Sequence, residues 1–228
     1  MKLALIGYGK MGQLIERLAL SKKHTIVAKL TSSSHDASLM DTDVLIDFSH
    51  PDNALNSIKM AAKLKKNLVM GTTGWYSHMD EVKSIIKDAG IGFIYAPNFS
   101  LGSALFHDMI SYAAKLMAPF DNYDVNAFEI HHQNKVDSPS GTAKALMHQL
   151  NTLIPRKQGN INFASIRVGS DPGSHSIIFD SPSDTITLTH SARNREAFVE
   201  GALFATEWIA GKKGFYKFDD IIQENFHE

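Results

Sequence analysis

The strongest constraint on the fold is an apolar segment near the start of the chain that runs directly into a glycine-rich turn. Leu3–Ile6 is apolar throughout, as expected for a strand buried on both faces of a parallel sheet. Gly7–Gly12 follows as a literal G-x-G-x-x-G and leads into an amphipathic helix. Such glycines allow a tight turn, the approach of a pyrophosphate and close packing of the helix. The segment therefore predicts nucleotide binding, with an ordinary strand–turn–helix junction as the alternative.

Apolar strands and amphipathic helices continue to alternate over the first half of the chain. The predicted strands are Thr25–Leu30, Val44–Phe48, Leu68–Met70 and Gly92–Tyr95, and the predicted helices are Asn53–Leu64 and Asp80–Ala89. This alternation predicts a doubly wound parallel sheet, whose ligands bind beyond the carboxyl ends of the strands. Three strand ends carry small polar or turn-forming residues: Asp47–Ser49, Gly71–Gly74 and Pro97–Asn98. We expect these ends to converge on one binding site.

The end of the second predicted strand bears on the choice of cofactor. NAD sites place an Asp or Glu there, which hydrogen-bonds the ribose hydroxyls, whereas NADP sites accept a 2′-phosphate. This chain has Leu30-Thr31-Ser32-Ser33-Ser34, which offers hydroxyl groups and no carboxylate. The segment favours NADP, or the use of both cofactors, although it contains no Arg.

The pattern changes after Phe99. A helix is predicted over Leu101–Ala118 and a strand over Tyr123–Ile130, whose candidate inward residues are Val125, Ala127 and Phe128. The later elements are strands at Asn162–Val168, His175–Phe179 and Asp184–His190, a helix at Glu196–Ala210 and a tail at Phe215–Ile222. Strands joined by turn-rich loops predict an open, largely antiparallel or mixed sheet with helices on one face. The other face needs solvent or a partner, so we expect a homo-oligomer, and we expect the tail to pack back on the first domain.

A dense polar segment, Glu129–Lys144, follows the strand of the second half. His131 and His132 can transfer protons near neutral pH, because imidazole titrates there. Lys135 offers a cation to an anionic substrate. Ser140–Thr142 opens a helix, where N–H groups and hydroxyls form an anion site. The composition of this segment is typical of an active-site loop.

Each of these residues also has a structural interpretation. His131 can be a satisfied histidine at a strand end, Lys135 a solvated charge, and Ser140 a helix cap alone. A metal site formed by Glu129, His131 and His132 is disfavoured, because adjacent strand positions point to opposite faces of a sheet.

Composition excludes several classes of function. The chain has 228 residues and a formal net charge of −1, which argues against holding nucleic acid by bulk electrostatics. It has no cysteine, which excludes disulfide scaffolds, Cys-ligated metal sites and thiolate nucleophiles. The longest apolar runs are too short to cross a bilayer, and the N-terminus lacks the pattern of a signal peptide. We therefore expect a compact cytoplasmic protein that makes no contact with membranes.

The motifs together resemble the 4-hydroxy-tetrahydrodipicolinate reductase (dihydrodipicolinate reductase) family. The most specific block is Glu129–His132 followed by Lys135–Thr142. The other matching blocks are Gly7–Gly12, Asp47–Ser49, Gly71–Gly74, Ala96–Ser100, Arg167–Gly169, Gly173–His175 and Thr189–Ala192. The resemblance therefore runs nearly from end to end.

The resemblance implies a nicotinamide-dependent reduction of a cyclic unsaturated imine dicarboxylate, with loss of water, in the diaminopimelate route to lysine. It implies that His131 is the general acid/base and that Lys135 is a second proton donor. The implied substrate-binding residues are His132, Lys135, Ser140, Gly141 and Thr142. The implied binding residues for NADPH or NADH are Gly7, Tyr8, Gly9, Lys10, Met11, Gly12, Thr31, Ser32, Gly71, Thr72, Thr73, Ala96, Pro97, Asn98 and Phe99. No metal is implied.

The expected fold class is α/β, with an N-terminal Rossmann-like doubly wound parallel sheet and a smaller α+β domain that has an open mixed sheet. Residues 1–99 are expected to form a dinucleotide-binding domain, with 200–228 packing back on it. Residues 100–199 are expected to form the domain that binds substrate and mediates oligomerisation. The resemblance implies a homotetramer assembled through the sheets of the second domains.

Two features depart from the family pattern. Many members have an acidic residue, often followed by Arg, where this chain has Thr31 and Ser32, so the choice between NADPH and NADH stays open. The loop at Ser33–Thr42 is also short.

Two rival functions stay open. One is another two-domain nicotinamide enzyme, such as an L-aspartate dehydrogenase, in which we would not expect the Lys135–Thr142 string. The other is a catalytically silent NADP-binding protein, which would leave the clustering of His131 and Lys135 without a reason. Semialdehyde dehydrogenases that form a thiohemiacetal are excluded, because the chain has no Cys.

Overall fold

The computed structural model describes residues 1–31, 37–157 and 161–224. The strands are β1 (Lys2–Ile6), β2 (Thr25–Leu30), β3 (Val44–Asp47), β4 (Asn67–Met70), β5 (Gly92–Tyr95), β6 (Asp124–His131), β7 (Phe163–Arg167), β8 (Ser174–Asp180), β9 (Thr185–Ser191) and β10 (Gly214–Lys217). The α-helices are α1 (Lys10–Ser21), α2 (Ala54–Leu64), α3 (Met79–Ala89), α4 (Leu101–Met117), α5 (Gly141–Leu153), α6 (Glu196–Trp208) and α7 (Phe218–Glu224). Short 3-10 helices lie at Ala37–Asp41, Pro51–Asn53, Tyr76–His78 and Pro155–Lys157.

The chain divides into two compact units. The first unit comprises Met1–Leu101 and Phe198–Glu228, and the second unit comprises Gly102–Ala197. In the described part of the chain, no helix is both long enough and apolar enough to cross a membrane.

The first unit is built on a six-stranded sheet in the order β10-β5-β4-β3-β1-β2, and all of its strand pairs are parallel. Every residue of β3 and β5 is buried, because helices cover both faces of such a sheet. The predicted fold class of this half is therefore confirmed. The sequence predicted only five strands, since the sixth, β10, is a short Gly-Phe-Tyr-Lys segment that gains its partners from β5.

The helices of the first unit bury one face each. In α2 the buried residues include Ala54, Ile58 and Ala61, at the spacing that the sequence indicates. In α6 the packing is closer still, because a Cβ added at Gly201 would lie 1.7 Å from the carbonyl oxygen of Phe99. Two large apolar side chains of α6, Phe198 and Trp208, are only half-buried.

The second unit is built on a four-stranded mixed sheet in the order β7-β6-β8-β9. Strands β6 and β7 are parallel, and the other two pairs are antiparallel. Helices α4 and α5 cover one face, with Ile110 and Leu146 packed in the same core as Val125, Ala127 and Phe179. The predicted open mixed sheet is confirmed.

One detail of the second unit differs from the sequence prediction. Phe128 was expected to point inward with Val125 and Ala127, but successive side chains of a strand alternate, and Phe128 is half-buried on the opposite face. Helix α5 begins at Gly141 with Ser140 as its cap, which agrees with the predicted helix opening at Ser140–Thr142.

Candidate active site

Hydrogen bonds tie together the loops at the carboxyl ends of the central strands in the first unit. The buried carboxylate of Asp47 accepts hydrogen bonds through Oδ1 from the Ser49 N–H at 2.8 Å and from the Thr72 hydroxyl at 2.6 Å. The Ala96 N–H donates to the carbonyl oxygen of Met70 at 3.3 Å. The three strand ends that the sequence predicted to converge therefore lie side by side.

The glycine-rich turn has the geometry of a phosphate-binding loop. Gly7 has φ +87°, which residues with a Cβ rarely adopt, and a Cβ at Gly12 would lie 2.3 Å from the Gly7 carbonyl oxygen. Gly9 is the N-cap of α1, where no side chain caps the helix, and a Cβ there would meet nothing within 4 Å. The fold itself does not require glycine at position 9. The open space beside the first N–H groups of α1 fits a bound pyrophosphate.

A cavity of about 650 Å³ opens beside this turn, which is the size range of small-molecule sites. Its lining residues are Ile6, Gly7, Tyr8, Gly9, Leu30, Thr31, Ser49, His50, Asn53, Asn56, Ser57 and Met60. The exposed Thr31 lines the cavity at the end of β2, whereas Ser32 falls outside the described residues. The α2 wall of the cavity was not predicted, because the sequence pattern of that helix pointed only to its apolar face.

The remaining cofactor-binding candidates vary in exposure. Lys10, Thr73 and Pro97 are exposed, Met11, Gly71 and Asn98 are half-buried, and Thr72, Ala96 and Phe99 are buried. Gly71 lies against the ring of Phe48, since a Cβ there would be 2.2 Å from Phe48 Cε1. The buried candidates can shape the site, and the exposed ones can contact a ligand directly.

Replacing Gly9 by Ala is expected to weaken NADPH binding about tenfold and to leave the melting temperature unchanged. The added methyl group has room in the free protein but occupies the space that a pyrophosphate needs. Fluorescence titration with NADPH and a thermal melt measure the two effects. In the comparison variant Gly12→Ala, both should fall, because its Cβ meets the Gly7 carbonyl group. Wild-type NADPH affinity in Gly9→Ala would show that the turn does not contact the cofactor.

The second unit contains a buried carboxylate, Glu129 on β6. Its Oε1 atom accepts hydrogen bonds from the Ser140 N–H at 3.0 Å, the Ser165 hydroxyl at 2.7 Å and the Arg167 guanidinium at 3.0 Å. Burial opposes ionisation, but these donors outweigh burial and lower the pKa of Glu129 to about 2. The carboxylate is therefore charged at neutral pH.

Two buried imidazoles face the other oxygen of Glu129. His131 Nδ1 lies 3.4 Å from Glu129 Oε2, and His175 Nε2 lies 3.5 Å from the same atom. The two rings meet edge to face, with centroids 5.2 Å apart. Burial lowers the pKa of His131, although the charge of Glu129 raises it. Burial and the neighbouring His131 lower the pKa of His175 to about 4.

The loop after β6 holds the other predicted residues of this unit. Lys135 Nζ lies 2.6 Å from Asp137 Oδ1, and the positive charge of Lys135 is close enough to help lower the pKa of His131. The His132 N–H donates to the carbonyl oxygen of Asp171 at 2.7 Å, and its side chain is half-buried.

The start of α5 adds N–H groups to the same unit. Ser140 Oγ accepts a hydrogen bond from the Ala143 N–H at 3.1 Å and lies 3.3 Å from His175 Nε2. Gly141 is exposed and Thr142 half-buried. Because Ser140 also donates its N–H to Glu129, the helix start and the buried carboxylate are held together. The second unit thus combines an imidazole, an ammonium group and a helix N-terminus.

Sequence reasoning missed the role of His175, Ser165 and Arg167, which come from β7 and β8. The only signal for Arg167 and His175 was their presence in blocks that resemble the family, and Ser165 lies in no such block. One ligand atom each of Glu129, His131 and His175 lie within 4.8 Å of one another, a spacing that could hold a metal ion. The metal site that the sequence disfavoured had His132 as its third residue, whereas this set has His175. The same spacing also allows each imidazole to share a proton with the carboxylate of Glu129.

The free energy of unfolding should fall in two steps as the pH is lowered. Since the pKa of His175 is about 4 when folded and about 6.5 when unfolded, the unfolded chain binds more protons between these values. Stability is thus complete above pH 6.5, and about 3 kcal/mol is lost down to pH 4. Glu129, with its lowered pKa, contributes stability above pH 4.5 that is lost between 4.5 and 2.

Urea unfolding at a series of pH values measures both steps. His175→Gln should reduce the loss between pH 6.5 and 4, because its side chain does not titrate. The matched control is His148→Gln, since His148 is an exposed residue of α5. An equal loss in wild type and His175→Gln would contradict the assignment of the first step to His175.

Comparison with known proteins identifies the same family that the sequence motifs resemble, over nearly the whole chain. The model for the N-terminus of dihydrodipicolinate reductase matches residues 1–99, and the model for its C-terminus matches residues 102–222. A 4-hydroxy-tetrahydrodipicolinate reductase of Christiangramia forsetii is 36% identical over 237 residues, covering 99% of this chain and 99% of that protein. A protein of the same name from Ralstonia pickettii is 37% identical and covers 82% of this chain and 76% of its own length.

Solved structures agree with the sequence comparisons. The dipicolinate-bound dihydrodipicolinate reductase from Paenisporosarcina sp. TG-14 has a TM-score of 0.80 and 25% identity, and the match covers 97% of this chain and 99% of that one. An engineered D-amino acid dehydrogenase bound to NADP+ has a TM-score of 0.54 at 12% identity, which indicates a shared fold only.

The parallel sheet, the glycine-rich turn and these relatives define the class of protein: the chain is an NAD(P)H-dependent oxidoreductase with a Rossmann-like nucleotide-binding N-terminal part. Within that class, the two family models together span nearly the whole chain. The chain belongs to the dihydrodipicolinate reductase family.

Proposed function

We propose that this chain reduces 4-hydroxy-tetrahydrodipicolinate to tetrahydrodipicolinate with loss of water, in the diaminopimelate route to lysine, and that His131 is its proton donor. The observation that carries the proposal is the buried His131 with Lys135 and the start of α5 in one continuous segment, 131–142, of a chain of this family. That segment supplies an acid, a cation and an anion-binding helix start.

The nicotinamide, when bound, supplies a hydride, which the protein cannot. Hydride addition to a conjugated imine builds negative charge along the C=C–C=N system. A positioned acid must neutralise that charge, and such proton transfer typically contributes about 10²- to 10⁴-fold in rate. His131 gives this proton through its ring N–H. Lys135 is a second donor and also attracts the dianionic substrate.

The substrate carboxylates bind His132 and the start of α5. The hydroxyls and N–H groups of Ser140, Gly141 and Thr142 are suited to this role, because the first turn of a helix leaves N–H groups without intrahelical partners. Lys135 lies in the loop that leads to this helix and adds a charge-assisted contact.

The cofactor binds the first unit. The turn Gly7–Gly12 would hold its pyrophosphate, because the space beside Gly9 is open, and Thr31 at the end of β2 would contact its ribose. The remaining contacts come from the loops after β4 and β5, through Gly71, Thr72, Thr73, Ala96, Pro97, Asn98 and Phe99. Hydroxyls in place of a carboxylate at the end of β2 favour NADPH, with NADH as a second cofactor.

The assembly is a cytoplasmic homotetramer that joins the sheets of the second units. The face of that sheet opposite α4 and α5 carries Phe128, Ile130, Ile166 and Ile178, of which Ile166 is exposed. Such an apolar face is typical of a protein interface.

A coupled assay tests the function. The substrate is made in situ from pyruvate and aspartate semialdehyde by a synthase, and the oxidation of NADPH and of NADH is followed in separate reactions. Turnover that depends on both precursors is expected, with NADPH at least as good as NADH. A parallel reaction with L-aspartate and NAD(P)+ addresses the rival dehydrogenase. Turnover in that reaction alone would contradict the proposal.

A further inference from the structure

We propose that Glu129 is a positioning residue that fixes the tautomer of His131 and holds it in register with the start of α5. The proposal rests on the proposed role of His131 as proton donor. One oxygen of the carboxylate anchors the helix start, and the other faces the imidazole.

The side chain of Glu129 is held so that it cannot turn. Three donors from two elements converge on Oε1: the Ser140 N–H at the start of α5, and the Ser165 hydroxyl and the Arg167 guanidinium from β7. Arg167 in turn donates to the carbonyl oxygen of Asp137 at 2.7 Å, in the loop that carries Lys135. A carboxylate with one oxygen held in this way has its second oxygen fixed in direction as well.

The other oxygen of Glu129, Oε2, faces the ring nitrogens of His131 and His175. Among the described residues, neither Glu129 Oε2 nor His131 Nδ1 has a well-aligned hydrogen-bond partner, although the two atoms are buried and only 3.4 Å apart. A buried anion beside a neutral imidazole favours the tautomer that carries its proton on the facing nitrogen. His131 therefore bears a hydrogen on Nδ1, and a small movement of its ring makes the hydrogen bond.

With its hydrogen on Nδ1, His131 exchanges protons with a substrate through Nε2. This nitrogen lies beside Gly173, where a Cβ would come within 3.0 Å of it. Gly173 has φ +145°, so glycine is suited to this position on two counts. With Nδ1 held by Glu129, protonation occurs at Nε2, and the imidazolium that results is stabilised by the carboxylate.

Other charges also act on the pair. Lys135 and Arg167 lower the pKa of His131, whereas Asp171 joins Glu129 in raising it. Burial lowers the pKa of His175 most, and the neighbouring His131, His190 and His107 lower it further. Among these groups Glu129 raises the pKa of His131 most, and only burial has a larger effect on it.

The direct test uses the wild-type chain. Long-range 1H–15N NMR at pH 7.5 distinguishes a protonated from an unprotonated ring nitrogen in each histidine. We expect neutral His131 to carry its hydrogen on Nδ1 and His175 to carry its hydrogen on Nε2, so that both face Glu129 Oε2. A neutral His131 with its hydrogen on Nε2 would overturn the proposal, whether or not the chain is a reductase.

The second test is Glu129→Gln. The amide oxygen can replace Oε1, which places the NH2 group opposite His131 Nδ1 and forces the opposite tautomer. We expect kcat to fall about 10²-fold or more. We also expect the limb of the kcat/KM profile that reports His131 to move to lower pH, because a charge that raised the pKa of His131 is gone.

A matched control is Glu81→Gln, an exposed glutamate of α3 in the first unit, which should leave kcat and the profile unchanged. Wild-type kcat in Glu129→Gln would contradict the proposal. So would a fall in kcat with an unmoved pH profile, since that result would indicate a structural role alone. If Glu129→Gln does not fold, the NMR measurement on the wild type decides. Loss of the proposed function would appear as an inactive wild type in the coupled assay, and the tautomer result would still stand.

Discussion

Replacing His131 by Gln is expected to lower kcat about 10²- to 10⁴-fold, which is the range that a positioned acid contributes. The substituted amide is a far weaker acid than an imidazolium, so the charge that builds up during hydride transfer is no longer neutralised. Gln also keeps a polar group next to the buried Glu129. We therefore expect a large fall in kcat with only a small change in the melting temperature. Stopped-flow measurement of NADPH oxidation, together with a thermal melt, separates the two effects.

The affinity of His131→Gln for NADPH should stay within about twofold of wild type, because the proposed cofactor residues all belong to the first unit. The matched control is His148→Gln, which removes an exposed imidazole from the same unit. Turnover at the wild-type rate in His131→Gln would remove the assignment of the acid. A parallel loss of NADPH affinity would place His131 in the cofactor site instead.

The fold of the first unit was largely predictable because its strands are buried on both faces. Runs such as Val44–Leu45 and Phe93–Ile94 are apolar at every position, and glycines or polar residues mark each strand end. The sixth strand, β10, lacks such a run, and its place in the sheet depends on β5, which is distant in sequence. Its existence is a tertiary effect that no local pattern reveals.

The second sheet was predictable in type but less so in orientation. Each face of strand β6 carries both apolar and polar residues, so the sequence pattern does not identify the face that α4 and α5 cover. Phe128 was therefore predicted on the wrong face. The four-strand order, with β6 between a parallel and an antiparallel neighbour, follows from pairing between distant segments.

The candidate active site was predictable where its residues are contiguous. His131, Lys135 and Ser140 lie in one short segment, and their chemistry shows in the sequence. His175 and Arg167 come from β8 and β7, where a single polar residue in a strand carries no local signal. Only the strand register, which pairs Glu129 with His175 and His131 with Arg167, brings them together.

Replacing Lys135 by Ala is expected to lower kcat/KM about 10²- to 10³-fold, mostly through a higher KM. A fully charged contact to a desolvated carboxylate is worth roughly 3–4 kcal/mol, which corresponds to this factor. The side chain is mostly buried beside Asp137, so its removal also leaves that carboxylate to repel a dianionic substrate. Steady-state kinetics with the coupled substrate measure kcat and KM separately.

The pH dependence of kcat/KM gives a second, independent test of Lys135→Ala. Since the ammonium group lowers the pKa of His131, its removal should move the His131 limb of kcat/KM to higher pH, opposite to the shift expected for Glu129→Gln. Lys144→Ala is the matched control, because Lys144 is an exposed residue of α5. A KM equal to that of wild type in Lys135→Ala would mean that His132 and the start of α5 hold the substrate carboxylates without Lys135. An unmoved limb would mean that the charge of Lys135 does not affect the pKa of His131.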